Sequence, residues 1–229
     1  TIKSGDSEFN ILGLPSADFP ELPIFQNEMD IQLSQKVLKR MIRQSIFAVA
    51  TTEAKPVQMG TLFHMENGQL DFVSQDGYRM ALSRQKIDNN NKARFIVPGK
   101  TLSEVMRLAE DTDNMLSITV GKKHAKFTLP DCEIYTRLIT EGEFLDYTAI
   151  IPKNPPIRVK IHTKSLLEAV ERLSLLISEK IRTPVVANFA DNTLTISCAT
   201  AMGKAQDKIF CEMTGDSIKI GFNNRYMLD

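Results

Sequence analysis

What this chain lacks argues against large classes of chemistry. Its 229 residues include only three histidines and three cysteines. His64, His124 and His162 are scattered, and Cys132, Cys198 and Cys211 stand far apart without the short spacing of a metal-binding set. An odd number of distant thiols reads as buried, reduced cysteines in a reducing cytosol rather than as a disulfide framework. There is no G-x-S-x-G, no P-loop and no G-x-G-x-x-G, so nothing in the sequence points to an active site, and neither metal nor cofactor is expected. Asp111 and Asp113 fall in a loop after a predicted helix, where capping and turn formation explain them better than a two-carboxylate metal site. No apolar run approaches the length of a membrane span and no basic-then-apolar segment opens the sequence, so a cytoplasmic location is expected. Lysine plus arginine balance aspartate plus glutamate at 28 each, so any attraction to phosphate has to come from a local patch.

What is present reads as an ordinary globular composition, long enough for more than one domain. The opening TIKSG reads as the middle of a strand and turn, and the closing RYMLD as the start of a helix, so a piece of a longer protein is expected. Pro15, Pro20 and Pro23 mark a linker or edge segment. A helix is predicted from Leu33, capped by Ser34, with Val37, Leu38, Met41, Ile42, Ile46 and Val49 at helical spacing. Strands follow at 57–65, 69–74, 78–84 and 93–97, with Glu66-Asn67-Gly68 as a turn. A second helix is predicted over 101–110, with Thr101 and Glu104 as a capping box, then strands at 116–120, 124–129 and 133–139. The order then begins again: a strand at 157–161, a helix capped by Thr163, and strands at 185–189, 194–198, 208–213 and 218–222. QLDFVSQ matches TLTISCA in pattern 124 residues later, and LGLPSADFPELP resembles RLITEGEFLDYTAI with Phe19 and Phe144 125 apart. Such a period implies tandem copies of one α+β domain.

Two features invite a binding role. Lys36, Lys39, Arg40 and Arg43 fall at i, i+3, i+4 and i+7 on the first helix, with no acidic residue between Ile31 and Thr52. Charged helix faces are usually just solvated, but they usually mix signs, as Lys164, Glu168, Glu171 and Arg172 do on the later helix. A one-sign stripe on a neutral protein is a candidate for sequence-independent phosphate contact. The second feature is SQDGYRMA (74–81). A type I′ Asp-Gly turn accounts for Asp76 and Gly77, and Met80 fits a core position. Tyr78 and Arg79 are residue types enriched at binding hot spots.

DGYRMA (76–81) resembles the DGHRLA-type motif of the bacterial sliding clamp, the beta subunit of DNA polymerase III. IVPGK (96–100), FLDY (144–147) leading to IPKN (151–154), GFNNRYMLD (221–229) and SGDSEFNILGLPSADFPELP (4–23) match that family in the same order, covering essentially the whole chain. The resemblance implies a DNA clamp fold, with tandem similar domains each having two helices packed on antiparallel sheets. Residues 1–25 would be the end of domain 1, 26–150 a complete domain 2 and 151–229 the N-terminal part of domain 3. It further implies a non-catalytic subunit of a polymerase holoenzyme, a homodimeric ring that encircles duplex DNA. Such a ring tethers the replicative polymerase, the clamp loader and repair proteins through short peptide motifs. Alternatives are a catalytic nucleotidyltransferase subunit, which the missing acidic metal constellation argues against, and a peptide-binding scaffold without DNA encirclement, which the basic helix argues against.

On this resemblance Lys36, Lys39, Arg40 and Arg43 line the DNA channel, joined by Lys100 and Arg107. An ion pair of Arg107 with Glu104 or Asp111 is the competing reading. The implied peptide site takes Gly77, Tyr78, Arg79 and Met80 from the DGYRMA segment, Leu145 and Ile150 from the domain junction, and Asn223 and Tyr226 from the third domain. Leu175 and Leu176 match the ring-closing interface, with burial in their own domain core as the alternative for one of them. The chain departs from the family at Gln75, where threonine is common, at Tyr78 for histidine, at Leu145 for proline and at Ala149 for arginine.

Overall fold

A computed structural model describes residues 1–19, 21–25, 29–52, 55–178 and 183–229. Pro20 and residues 26–28, beside the expected start of domain 2, lie outside the described residues. The chain divides into two compact units, Thr1–Phe144 and Leu145–Asp229.

The first unit opens with an exposed hairpin of β1 (Ile2–Ser4) and β2 (Ser7–Phe9). β3 (Met29–Ser34) follows, where a helix start was expected at Leu33. Ile31 and Leu33 are buried while Asp30 and Gln32 are exposed, a period of two that makes this a half-buried strand. Helix α1 (Gln35–Arg43) begins only after Ser34, whose hydroxyl accepts from the Val37 amide at 3.4 Å. It stops earlier than the apolar spacing suggested. The Ser45 hydroxyl donates to the Met41 carbonyl at 2.9 Å, and a 3-10 turn at Ile46–Ala48 takes over.

A 3-10 turn at Pro56–Met59 replaces the first residues of the expected strand at 57–65. Then come β4 (Gly60–Glu66), β5 (Gln69–Gln75), β6 (Met80–Lys86), β7 (Ala93–Pro98), α2 (Gly99–Leu108), β8 (Met115–Val120), β9 (His124–Thr128) and β10 (Glu133–Arg137). They form two antiparallel sheets, ordered β6-β5-β4-β7 and β10-β9-β8-β3. Asn67 and Gly68 join β4 to β5 at φ 51° and 73°, the left-handed pair that an Asn-Gly hairpin supplies. The expected capping box at Thr101 and Glu104 does not form. Gly99 opens α2 two residues earlier, at a spot where a Cβ would meet Val49 Cγ1 at 3.0 Å. Thr101 instead shares a 2.8 Å hydroxyl bond with Thr136.

One core serves both sheets and both helices of this unit. Phe63 sits 3.8 Å from Phe72 and 5.0 Å from Phe95, centroid to centroid, packed with Leu38 and Ile42 of α1 and Leu102 of α2. Across β6, β5, β4 and β7 a polar row stands in register: Arg84, Asp71, His64 and Arg94. Asp71 is 2% exposed, and Arg84 grips it through two bonds of 2.8 and 2.7 Å. Arg94 donates to the Phe144 carbonyl at 3.1 Å.

The second unit comprises α3 (Tyr147–Ile150), β11 (Arg158–Ile161), α4 (Thr163–Ser174), β12 (Val185–Ala190), β13 (Thr193–Thr200), β14 (Gly203–Thr214), β15 (Ile218–Phe222) and α5 (Asn224–Leu228). Its sheet runs β11-β14-β13-β12-β15, so β14-β13-β12-β15 repeats the order β6-β5-β4-β7 of the first unit. The β12–β13 turn, at Asp191 and Asn192 (φ 49° and 54°), lies 124 residues after Asn67 and Gly68 and uses the same backbone solution. Val170 and Leu173 of α4 pack on Val185, Leu194 and Ile196. Thr163 is the first helical residue rather than the cap. Only His162 stands extended between β11 and α4, and it takes the cap position without a side-chain bond. Cys198 and Cys211 are buried, while Cys132 is only half-buried. Burial pushes the Cys211 thiol up.

Candidate nucleic-acid interface and partner-binding turn

The four cations predicted from helical spacing all fall on α1, away from the buried Leu38, Met41 and Ile42. The structure separates their environments. Lys36, Arg40 and Arg43 are exposed, but Lys39 is half-buried. Its ammonium donates to the Ala109 carbonyl at 3.0 Å and lies 3.3 Å from the Asp111 carboxylate. Ala109 is the C-cap of α2, so Lys39 satisfies the negative end of that helix and ties α1 to α2. Asp111, noted in the sequence as a loop carboxylate, is the ion partner of Lys39. Among the described residues no three His, Cys, Asp or Glu side chains gather where they could hold a metal ion. Arg40 reaches the Gln85 side-chain carbonyl on β6 at 2.5 Å.

Lys100 is exposed on the first turn of α2. Arg107 makes the surface ion pair with Glu104 that was its alternative reading, at 2.9 and 2.5 Å. The partners of these cations, Gln85 and Ala109, carry no pattern a sequence could flag, because sheet register and helix packing bring them there.

The turn between β5 and β6 is not the two-residue type I′ turn expected of Asp-Gly. Gln75 pairs with Met80, so residues 76–79 form a four-residue loop in which Gly77 is left-handed at φ 92° and Asp76 is not. The reason is the Asp76 carboxylate. Its Oδ1 accepts from the Tyr78 amide at 2.9 Å and the Arg79 amide at 3.0 Å, closing the loop with a side chain beside the backbone bond that the Asp76 amide donates to the Arg79 carbonyl at 3.3 Å. Tyr78 stands 86% exposed at the tip. Arg79 and Met80 are half-buried, and Arg79 lies against Asp76 and Phe47.

In the second unit Leu145 and Ile150 are exposed at the two ends of the Asp146-capped turn α3. Asn223 caps α5, its Oδ1 accepting from the Arg225 amide at 3.0 Å, and Tyr226 is half-buried on that helix. The two leucines after α4 part ways. Leu175 is 82% exposed, whereas Leu176 packs against the core of its own unit.

Residues 32–146 match the family profile of the DNA polymerase III beta subunit, central domain, and residues 148–229 that of the same subunit's C-terminal domain. Over its whole length the chain is 30% identical to the beta sliding clamp of Halalkalibacterium halodurans and 31% identical to that of Bacillus subtilis. It spans 62% and 61% of those proteins. The crystal structure of the DNA polymerase sliding clamp from Bacillus subtilis superposes with a TM-score of 0.90 at 29% identity, over 99% of this chain and 60% of the other. The DNA polymerase III subunit beta from Pseudomonas aeruginosa gives 0.89 at 28%, over 99% and 62%. With successive domain profiles of one subunit along it and that subunit's fold throughout, the chain belongs to the DNA polymerase III beta subunit family.

Proposed function

We propose that this chain works, within the full-length protein, as part of a non-enzymatic sliding clamp in the cytoplasm. The clamp is a homodimeric ring that encircles duplex DNA and tethers the replicative polymerase and other replication and repair proteins. The observation that carries this reading is the consecutive match to the central and C-terminal domains of the beta subunit. On it, residues 1–25 close a first domain, 26–150 make the second and 151–229 begin the third.

Sliding requires attraction to phosphate without base readout, since diffuse, screened contacts to a uniform backbone leave little barrier to translation. Lys36, Arg40 and Arg43 supply exposed charge for that role, and Lys100 adds to it from α2. Lys39 and Arg107 contribute field from cations already held by protein carboxylates. Short partner peptides are read by Gly77, Tyr78 and Met80 on the first unit and by Leu145, Ile150, Asn223 and Tyr226 on the second. Leu175, exposed past the end of α4, serves ring closure, and Leu176 supports it from the core.

The test is retention on circular duplex DNA by the full-length protein carrying Lys36→Glu, Arg40→Glu and Arg43→Glu. Retention should drop at least about tenfold. Retention equal to the parent's would overturn the assignment of α1.

A further inference from the structure

The loop that carries Tyr78 is held from outside its own hairpin. Beyond closing the loop, Asp76 presents Oδ2 to Arg79 Nε at 3.1 Å. A terminal nitrogen of Arg79 then reaches the Phe47 carbonyl at 2.6 Å, and the guanidinium lies 5.5 Å from the centre of the Phe47 ring. Phe47 belongs to the 3-10 turn that follows α1. Two more rungs join β6 to α1 and its C-cap residue, Gln44. Ser83 donates to the Gln44 side-chain carbonyl at 2.8 Å, and Arg40 bonds Gln85. Positions 79, 83 and 85 meet positions 47, 44 and 40 in opposite order, so Arg79, just before β6, is the last rung of a ladder.

Resting on the partner-binding reading above, we infer that Arg79 is a positioning residue that fixes Tyr78 for the partner, not a residue that touches the partner. The Arg79 and Asp76 side chains are 18% and 14% exposed, and Tyr78 between them is almost wholly open to water. A guanidinium that turned toward a peptide carboxylate would leave the nearly buried Asp76 carboxylate and the Phe47 carbonyl without it, which low local dielectric makes costly. Held in place, it fixes a rigid aromatic anchor before the partner arrives, lowering the ordering cost of binding.

The experiment uses full-length protein and a fluorescein-labelled peptide derived from the replicative polymerase. The same peptide, with its acidic side chains replaced by their amides, serves as the control. Asp76→Asn keeps an acceptor for the two loop amides but turns an NH2 toward Arg79, and Arg79→Lys keeps the charge but loses the planar fork. Each should weaken both peptides about tenfold, and the double variant should be no weaker than about threefold beyond the worse single, because both changes break one unit. A loss that vanishes with the amide peptide, or effects that multiply, would overturn the inference, since either marks Arg79 as a peptide contact. Hydrogen exchange in the unliganded protein decides the same point without a peptide. Arg79→Lys should speed exchange at the amides of residues 78 and 79 by about tenfold while β4 and β5 stay unchanged, and unaltered exchange at 78 and 79 would defeat the brace. Tyr78→Ala tests the parent reading separately. Undiminished peptide binding there removes the binding site from this loop, whatever the exchange data say of Arg79.

Discussion

For a single side chain, the cost of losing a charge depends on what its partner is left facing. Asp71 is 2% exposed while the Arg84 side chain is 51% exposed. Removing the guanidinium takes two bonds from a carboxylate that water hardly reaches, but removing the carboxylate releases a guanidinium that already touches solvent. Arg84→Met should therefore destabilise the protein by about 2 kcal/mol, short of a fully buried pair's cost because one partner is solvated. Asp71→Asn, which keeps an acceptor, should cost less than about 1 kcal/mol. Urea unfolding followed by far-UV circular dichroism measures both, and a larger loss for Asp71→Asn would contradict the argument. Neither partner is legible as a pair in the sequence, because thirteen positions separate them and only the β5–β6 register places them side by side.

At the level of helices and strands, α4 is tied to β14 by Arg172, which gives Asp207 two bonds at 2.9 and 2.5 Å. The Arg172 guanidinium holds the Asp207 carboxyl below its ordinary range, against a smaller upward push from burial. A folded-state pKa below the unfolded one stabilises fully above the unfolded value, about 4, and that contribution is lost as pH falls through the folded value. Glu66, held low by Lys92, and Glu133, held low by the Tyr135 hydroxyl, titrate in the same sense. Arg172→Met should thus lose less stability than the parent between about pH 5 and pH 3, and an equal loss would show that this tether does not titrate. Elements were the most readable scale. The Asn67-Gly68 hairpin and the Ser34 cap follow from local chemistry, and the 124-residue period is visible in the sequence itself. β3 is hard to read from the sequence although Ile31 and Leu33 alternate with polar neighbours, because Leu33 also continues the helical spacing of Val37 and Leu38. α2 starts at Gly99 rather than at a Thr101 capping box, and Thr101 finds its partner in Thr136, 35 residues away.

Over the whole sequence positive and negative charges cancel, so on the proposed reading affinity for duplex DNA comes from local cations and should fade with salt. In the full-length protein, the slope of log affinity for duplex DNA against log salt should fall by roughly one for each of Lys36, Arg40 and Arg43 replaced by glutamine. The same replacement at Lys39 should act mainly on stability, since its ammonium caps α2. A full unit lost from the slope on Lys39→Gln would reverse that ranking. Family motifs were legible across the chain, while the division of labour among the four cations was not, because a helical wheel shows direction and not what waits there. The ladder between α1 and β6 carries a historical consequence. On the proposed reading, its helix end (residues 40, 44 and 47) backs the surface offered to nucleic acid, and its hairpin end (85, 83 and 79) the one offered to partners. Gln44 and Ser83, or Arg40 and Gln85, are therefore not free to drift singly. Across lineages they should change as matched pairs, and adaptation to a new partner at Tyr78 should leave its trace in the helix behind it.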